Sequence, residues 1–320
     1  MLCARCFRRK TPPAIAELEP EELFNGLNHS RAILLLDLRE ETSKVKARFR
    51  GGVELDPEES QFEQSFTATL ETKVLHRERS KRMLVIIVDG GRIKNQKLIQ
   101  RVYRIILSKG MNPKAVFLIN FIRFYEKYPR YGLYQGRLEQ HYPSEIISSF
   151  LYLGDYTQAT NTTVLSELQI THIIDVSNEN LSLESSQQLK LKYCAVKVWD
   201  LESENIALHF KVTNKFIADC AKIPNSRVLV HCRAGVSRSA AIIIAYLIWS
   251  RKFKTLRDAI AFVVLNRPMV SPNEGFRKQL REYEFQITGA RSLKDDEAFL
   301  SAIHSALEEF QMLHILFDNS

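Results

Sequence analysis

The chain has 320 residues, 45% apolar and 26% charged, an ordinary globular composition with room for about two cores. No stretch approaches ~18 uncharged apolar residues, and the basic start Met1 to Lys10 precedes no apolar run, so neither a transmembrane segment nor a secretory leader is expected, and the cytoplasm or nucleus is the expected compartment. The formal charge is +8, with 26 Lys and Arg against 17 Asp and Glu in residues 1–140 and 19 against 20 in the rest; scattered basic residues without interleaved aromatics point to an acidic protein partner and no nucleic acid.

Residues 1–13 read as a flexible basic tail. Its Cys3 and Cys6 form a CxxC with no second ligand pair nearby, so no metal and no cofactor is expected. Lipid attachment at these cysteines is the weaker reading and a plain reduced tail the stronger. With Cys194, Cys220 and Cys232 the set is odd and sparse, which is no disulfide framework. Residues 14–28 are an irregular or helical entry. Residues 33–38, 83–88 and 115–119 are short continuous apolar runs, the pattern of strands buried on both faces. Residues 95–108 have helical spacing between the last two. Strands alternating with helices predict a parallel α/β sheet, and residues 14–137 are taken as the first domain.

The polar stretch 128–142 breaks the periodicity and marks the domain boundary. A second α/β series follows over 142–290, with strands expected at 171–177, 193–198 and 227–231. Helices are expected at 207–222, 238–250, 256–266 and 273–287. Residues 291–320 form the last segment, where Leu300, Ile303, Leu307, Phe310 and Phe317 within 295–317 are spaced as an amphipathic helix. A helix packed back onto the second domain is favoured over one that binds a partner.

The decisive segment is 227–241, RVLVHCRAGVSRSAA. An apolar strand runs into His231 and Cys232, five residues separate Cys232 from Arg238, and an apolar helix follows. A strand, a tight loop and a helix start in series suit a phosphate. Free N–H groups and the helix dipole favour an anion there, and successive loop amides form a nest. Gly235 permits a close backbone approach, and the Arg238 fork grips two phosphate oxygens. The same field favours the thiolate of Cys232, which is then set for in-line attack on phosphorus. The bland alternative, a buried structural cysteine before an arginine, leaves the ordered His, Gly, Arg and helix unexplained.

These residues resemble the HCxxGxxR(S/T) signature of the protein tyrosine phosphatases, in the wording of the dual-specificity branch. The similarity runs over about 142–289, from Tyr142-Pro143-Ser144 to Ser271-Pro272-Asn273 and Phe276. It implies that Cys232 and Arg238 are catalytic and that Arg233, Ala234, Gly235, Val236, Ser237 and Arg238 hold the substrate phosphate. The family takes its general acid from an Asp about thirty residues before the Cys. Asp200, 32 residues before Cys232, fits better than Asp175 or Asp219. Ser239 resembles the hydroxyl that helps the thiolate leave, Asn273 a residue that braces the loop, and His231 a support of the loop. The implied substrate is a phosphoprotein carrying phosphotyrosine and also phosphothreonine or phosphoserine. A phosphoprotein-binding scaffold with little turnover is the alternative.

Residues of about 30–137 resemble a rhodanese-like domain, through LLLDLRE, Arg50-Gly51-Gly52 and the strand, loop and helix at 84–106. The loop Asp89-Gly90-Gly91-Arg92 has no cysteine, which excludes sulfur transfer and leaves a binding role. The fold class expected is therefore α/β in two domains, a rhodanese-like parallel sheet with helices followed by a dual-specificity phosphatase α/β domain. That layout resembles the mitogen-activated protein kinase phosphatases and the serine/threonine/tyrosine-interacting-like proteins. The first group dock a mitogen-activated protein kinase through basic residues. Lys44, Lys46, Arg48 and Arg50, or Arg77, Arg79, Lys81 and Arg82, are the candidates here.

Overall fold

A computed structural model describes residues 142–179 and 189–313, and before them 16–17, 20, 24–25, 33–37, 53–54, 64, 66–67, 84–89, 101–106 and 116–128. The chain divides into two compact units at residues 137 and 138. The basic clusters at 44–50 and 77–82, Cys3 and Cys6, and the boundary stretch 129–141 lie outside the described residues.

The first unit holds a five-stranded sheet in the order β1-β5-β4-β2-β3. Its strands are β1 (Ala16–Glu17), β2 (Ile33–Asp37), β3 (Val53–Glu54), β4 (Leu84–Asp89) and β5 (Val116–Asn120). Every pairing is parallel, as the continuous apolar runs predict. The central register sets Ile33 beside Leu84 and Val85 beside Val116. Residues 101–106 are helical, within the expected helix, and a helix Phe121–Lys127 follows β5.

The second unit holds β6 (Ser144–Ile147), β7 (Leu151–Gly154), β8 (His172–Asp175), β9 (Lys192–Ala195) and β10 (Val228–His231). Their order is β6-β7-β10-β8-β9, with β6 antiparallel to β7 and all other pairs parallel. The last strand in sequence is thus the middle strand in space. Ligands of open α/β sheets bind beyond the carboxyl ends of the strands, and β10 ends there with Cys232 next in the chain.

The helices of this unit are α1 (Tyr156–Thr160), α2 (Thr162–Glu167), α3 (Ala207–Cys220), α4 (Arg238–Trp249), α5 (Leu256–Asn266), α6 (Glu274–Thr288) and α7 (Asp296–Leu313). The five helices expected from periodicity all form. The strands β6 and β7 and the short helices α1 and α2 carry no such periodicity and were not anticipated. Asp155 and Asn161 start α1 and α2 by capping them: Asp155 Oδ1 accepts from the Gln158 N–H at 2.9 Å and Asn161 Oδ1 from the Val164 N–H at 3.1 Å.

Helix α4 is buried at every position from Arg238 to Ile248, because α3, α5 and α6 flank it and the sheet covers the rest. A helix that is apolar all round belongs in a core, and each Ile or Leu buried there contributes about 1.5–3 kcal/mol. The start of α4 is thereby held fixed. The favoured reading of the last helix is also what forms: Phe299, Ala302, Ile303 and Ala306 of α7 join the same core. Arg277 of α6 grips Asp296 at the start of α7 through two bonds, at 2.6 and 2.7 Å.

One short segment departs from the expected domain division. Phe24 and Asn25, read from sequence as part of the first domain, cluster with the second unit. The reason is a side chain that acts as a strand partner. Asn25 Oδ1 accepts from the Glu145 N–H and Asn25 Nδ2 donates to the Glu145 carbonyl, both at 2.9 Å, so its amide covers the outer edge of β6.

Candidate active site

The loop between β10 and α4 wraps around one sulfur. Cys232 is 1% exposed, and its Sγ accepts from the Gly235 N–H at 3.3 Å and from the Ser239 hydroxyl at 3.2 Å. Three loop carbonyls are turned outward and held there. Arg233 O accepts from the Tyr156 N–H at 3.2 Å, Val236 O from the Ser271 N–H at 3.0 Å, and Gly235 O from Arg267 Nε at 2.8 Å. In a planar trans peptide the N–H points opposite to the C=O. The N–H groups of Ala234, Val236 and Ser237 therefore face inward, as a nest for an anion in front of Cys232.

Gly235 has φ +68°, which glycine adopts without strain. A Cβ there would also meet Gly154 O and Arg267 Nη2, each at 2.6 Å. Ser237 stands at the N-cap of α4 but makes no side-chain cap bond. Its hydroxyl instead donates to Asp200 Oδ1 at 2.6 Å and accepts from the Asn273 N–H at 3.1 Å.

Asp200, on the segment between β9 and α3, is brought to the mouth of this loop. Asn273 Nδ2 donates to Asp200 Oδ1 at 2.9 Å, while Asn273 Oδ1 caps α6 through the Phe276 N–H at 3.0 Å. Arg238 is almost fully buried. Its Nη1 donates to Val198 O at 3.1 Å and its Nε lies 3.5 Å from Asp200 Oδ2. One guanidinium at the start of α4 thus meets the Asp200 segment at two points.

The segment is supported from below by α6. Gln279 Nε2 donates to Glu204 O at 2.8 Å and Gln279 Oε1 accepts from the Ala207 N–H at 2.9 Å. Gly275 lies flat against the backbone of Glu202, where an added methyl would overlap the carbonyl. Trp199 and Leu201, on either side of Asp200, are 61% and 56% exposed and give the mouth an apolar rim.

Other expected residues take different places. The side chain of Arg233 points away from the nest to Glu179, 3.7 Å off, and is largely exposed. Within the described geometry its share of the cradle is backbone alone, because its carbonyl is tied to α1. His231 is fully buried, and its carbonyl accepts from the Val176 N–H at 2.8 Å. Burial pushes its imidazole below the ordinary value, against the opposing pull of Asp175, whose Oδ1 lies 3.6 Å from Nε2. Asp219 sits on the face of α3, held at about 2 by hydrogen bonds from Lys215 and Lys222. Cys194 and Cys220 are free thiols pushed up by burial, Cys220 to about 11.

Arg267, Ser271, Gly275, Gln279 and Tyr156 were not anticipated. Each either offers its own backbone or holds a backbone group of a segment distant in the chain, which periodicity does not record. Among the described residues no group of three or more His, Cys, Asp or Glu is arranged to hold a metal ion, and no described helix is long and apolar enough to cross a membrane.

Residues 151–286 match the family profile described as "Dual specificity phosphatase, catalytic domain". That match falls wholly within the second unit of this chain. A probable rhodanese domain-containing dual specificity protein phosphatase of Dictyostelium discoideum is 40% identical over 149 residues, 47% of this chain and 30% of the relative. The human dual specificity protein phosphatase 5 is 38% identical over 154 residues, 48% of this chain and 38% of the relative. The chain thus spans well under half the length of these relatives. Among solved structures, the human tyrosine phosphatase-like serine/threonine/tyrosine-interacting protein is 37% identical, with a TM-score of 0.41, over 45% of this chain and 97% of that one.

Proposed function

We propose that this chain is a protein phosphatase that hydrolyses phosphotyrosine, and also phosphothreonine or phosphoserine, through a phosphocysteine intermediate on Cys232. The observation that carries the reading is the Cys232 sulfur at the floor of an inward-facing amide nest, with Arg238 and Asp200 at its mouth. The phosphate oxygens lie on the nest and the Arg238 fork. The Cys232 thiolate forms a bond to phosphorus while the ester P–O bond breaks. Asp200 gives its proton to the departing oxygen, since a phenolate or alkoxide leaves poorly. Water then attacks phosphorus, passes a proton to Asp200, and the P–S bond breaks. The Ser239 hydroxyl, already directed at Sγ, supports the departing thiolate.

The grouping of Cys232, Arg238 and Asp200 about one loop supports turnover over the scaffold alternative. The first unit is read as a non-catalytic rhodanese-like domain. Its parallel sheet and the absence of any cysteine between Cys6 and Cys194 support a binding role. An acidic protein, with a mitogen-activated protein kinase as the specific candidate, is the partner its basic excess suits. A thiolate enzyme needs a reducing compartment, which the cytoplasm or nucleus provides.

The test is hydrolysis of a phosphotyrosine peptide and a doubly phosphorylated Thr/Tyr peptide. Cys232→Ser is expected to abolish turnover, and Asp200→Ala to lower kcat by about 100-fold or more, the usual share of a general acid. Folded wild-type protein that binds both peptides and turns over neither would leave the scaffold as the function.

A further inference from the structure

Arg267 follows α5 immediately and is 1% exposed, one of the largest side chains buried among the described residues. Its Nε donates to Gly235 O at 2.8 Å, and its Nη1 lies 3.3 Å from Ser144 Oγ on β6. Among the described residues no carboxylate pairs with it. Burial disfavours its charge, and the opposing electrostatic help comes first from Asp155 and then from the sulfur of Cys232. A guanidinium nonetheless stays protonated in proteins. A buried charge without an ion pair is costly, and an apolar residue of similar volume would avoid that cost.

The geometry at Gly235 accounts for it. The Arg233 and Val236 carbonyls are held by backbone N–H groups, which any sequence supplies. The Gly235 carbonyl is held by a side chain. Glycine is also the residue that least resists rotation of the peptide that follows it. Without an external partner for Gly235 O, the 235–236 peptide can turn over and withdraw the Val236 N–H from the nest.

We propose that Arg267 is a positioning residue: it locks the 235–236 peptide with the Val236 N–H directed at the phosphate, and sets a second buried positive charge behind the nest. This rests on the phosphatase reading above. The other charged or titratable groups about the loop are His231, Cys232, Arg233 and Arg238 within it, and Asp155, Asp175, Glu179 and Asp200 on the segments packed against it.

The experiment compares full-length wild type, Arg267→Lys, Arg267→Met and Ser144→Ala. It measures the concentration of inorganic phosphate that half-protects Cys232 from iodoacetamide, together with kcat and KM on a phosphotyrosine peptide. Lysine keeps the charge but loses the planar Nε fork. In Arg267→Lys the protecting phosphate concentration should rise about 10-fold, below the ~100-fold of losing an oxyanion donor outright, and further in Arg267→Met. KM should rise and kcat fall in both. Ser144→Ala, which loosens one arm, should shift protection about 2-fold. Protection unchanged in a folded Arg267→Met overturns the inference. If that variant does not fold, unchanged protection in Arg267→Lys overturns it equally. Wild type that phosphate protects but that turns over no peptide, with protection still sensitive to Arg267, would sink the phosphatase reading and leave the inference standing. Wild type that phosphate does not protect would sink both.

Discussion

Three cysteines of the second unit show how position decides chemistry at the scale of a single residue. Cys194 and Cys220 lie in apolar surroundings, where burial holds the thiol protonated. Cys232 is as buried as Cys220, yet it lies at a helix start and accepts two hydrogen bonds at sulfur, from Gly235 and Ser239. On the proposed mechanism the Ser239 contact matters most when the sulfur is the leaving group, in the second step. Ser239→Ala is therefore expected to slow hydrolysis of the phosphocysteine by about 10-fold or more, with formation of that intermediate nearly unchanged. Rapid-quench kinetics would show it as a burst of peptide release followed by a slow steady state. Equal slowing of both steps would refute this division of labour.

Among the elements, the first turns of α6 have the largest role beyond packing. Asn273, Gly275 and Gln279 touch, in turn, Asp200, the backbone of Glu202, and both Glu204 and Ala207. The Asp200 segment has no regular structure of its own, so its aim is borrowed from this helix. Gly275→Ala would force the two apart, because the added methyl meets backbone and not a yielding side chain. If Asp200 is the acid, the damage must depend on the leaving group. Turnover of an aryl phosphate with an acidic phenol should fall by less than ~3-fold, and that of a phosphoserine or phosphotyrosine peptide by about 10- to 100-fold. A uniform loss across leaving groups would mean that the helix supports the fold and not the acid.

At the scale of the molecule, the second unit is completed by residues that lie far ahead of it in sequence. Phe24 is fully buried, with its ring edge-on to Tyr142 at 5.9 Å, and Asn25 Nδ2 also donates to Asn266 Oδ1 at 2.9 Å. Asn266 directly precedes Arg267, so the segment abuts the residue that holds the Gly235 carbonyl. Phe24→Ala should destabilise the second unit by about 3 kcal/mol, the usual loss for a buried aromatic. The midpoint of thermal inactivation should fall, with kcat and KM at 25 °C nearly unchanged. An unchanged midpoint would show that this segment does not belong to the unit that carries the site.

The sequence by itself determined the strand, the loop from Cys232 to Arg238 and the helix behind it, because the three are contiguous in the chain, and the proposed nucleophile and arginine stand on that loop. It also determined the α/β class and the five long helices of the second unit, since continuous apolar strands and amphipathic spacing are local patterns. Only the tertiary structure decided how the loop is aimed. The three carbonyl clamps come from residues 156, 267 and 271, and Arg267 in sequence is an unremarked cation after a helix. Likewise Arg233 sits in the signature yet turns its side chain outward, and Asn25 is polar in a polar stretch until β6 offers it an edge. Orientation of a peptide plane depends on what lies on its far side, and that is set by segments distant in the chain, which no local pattern records.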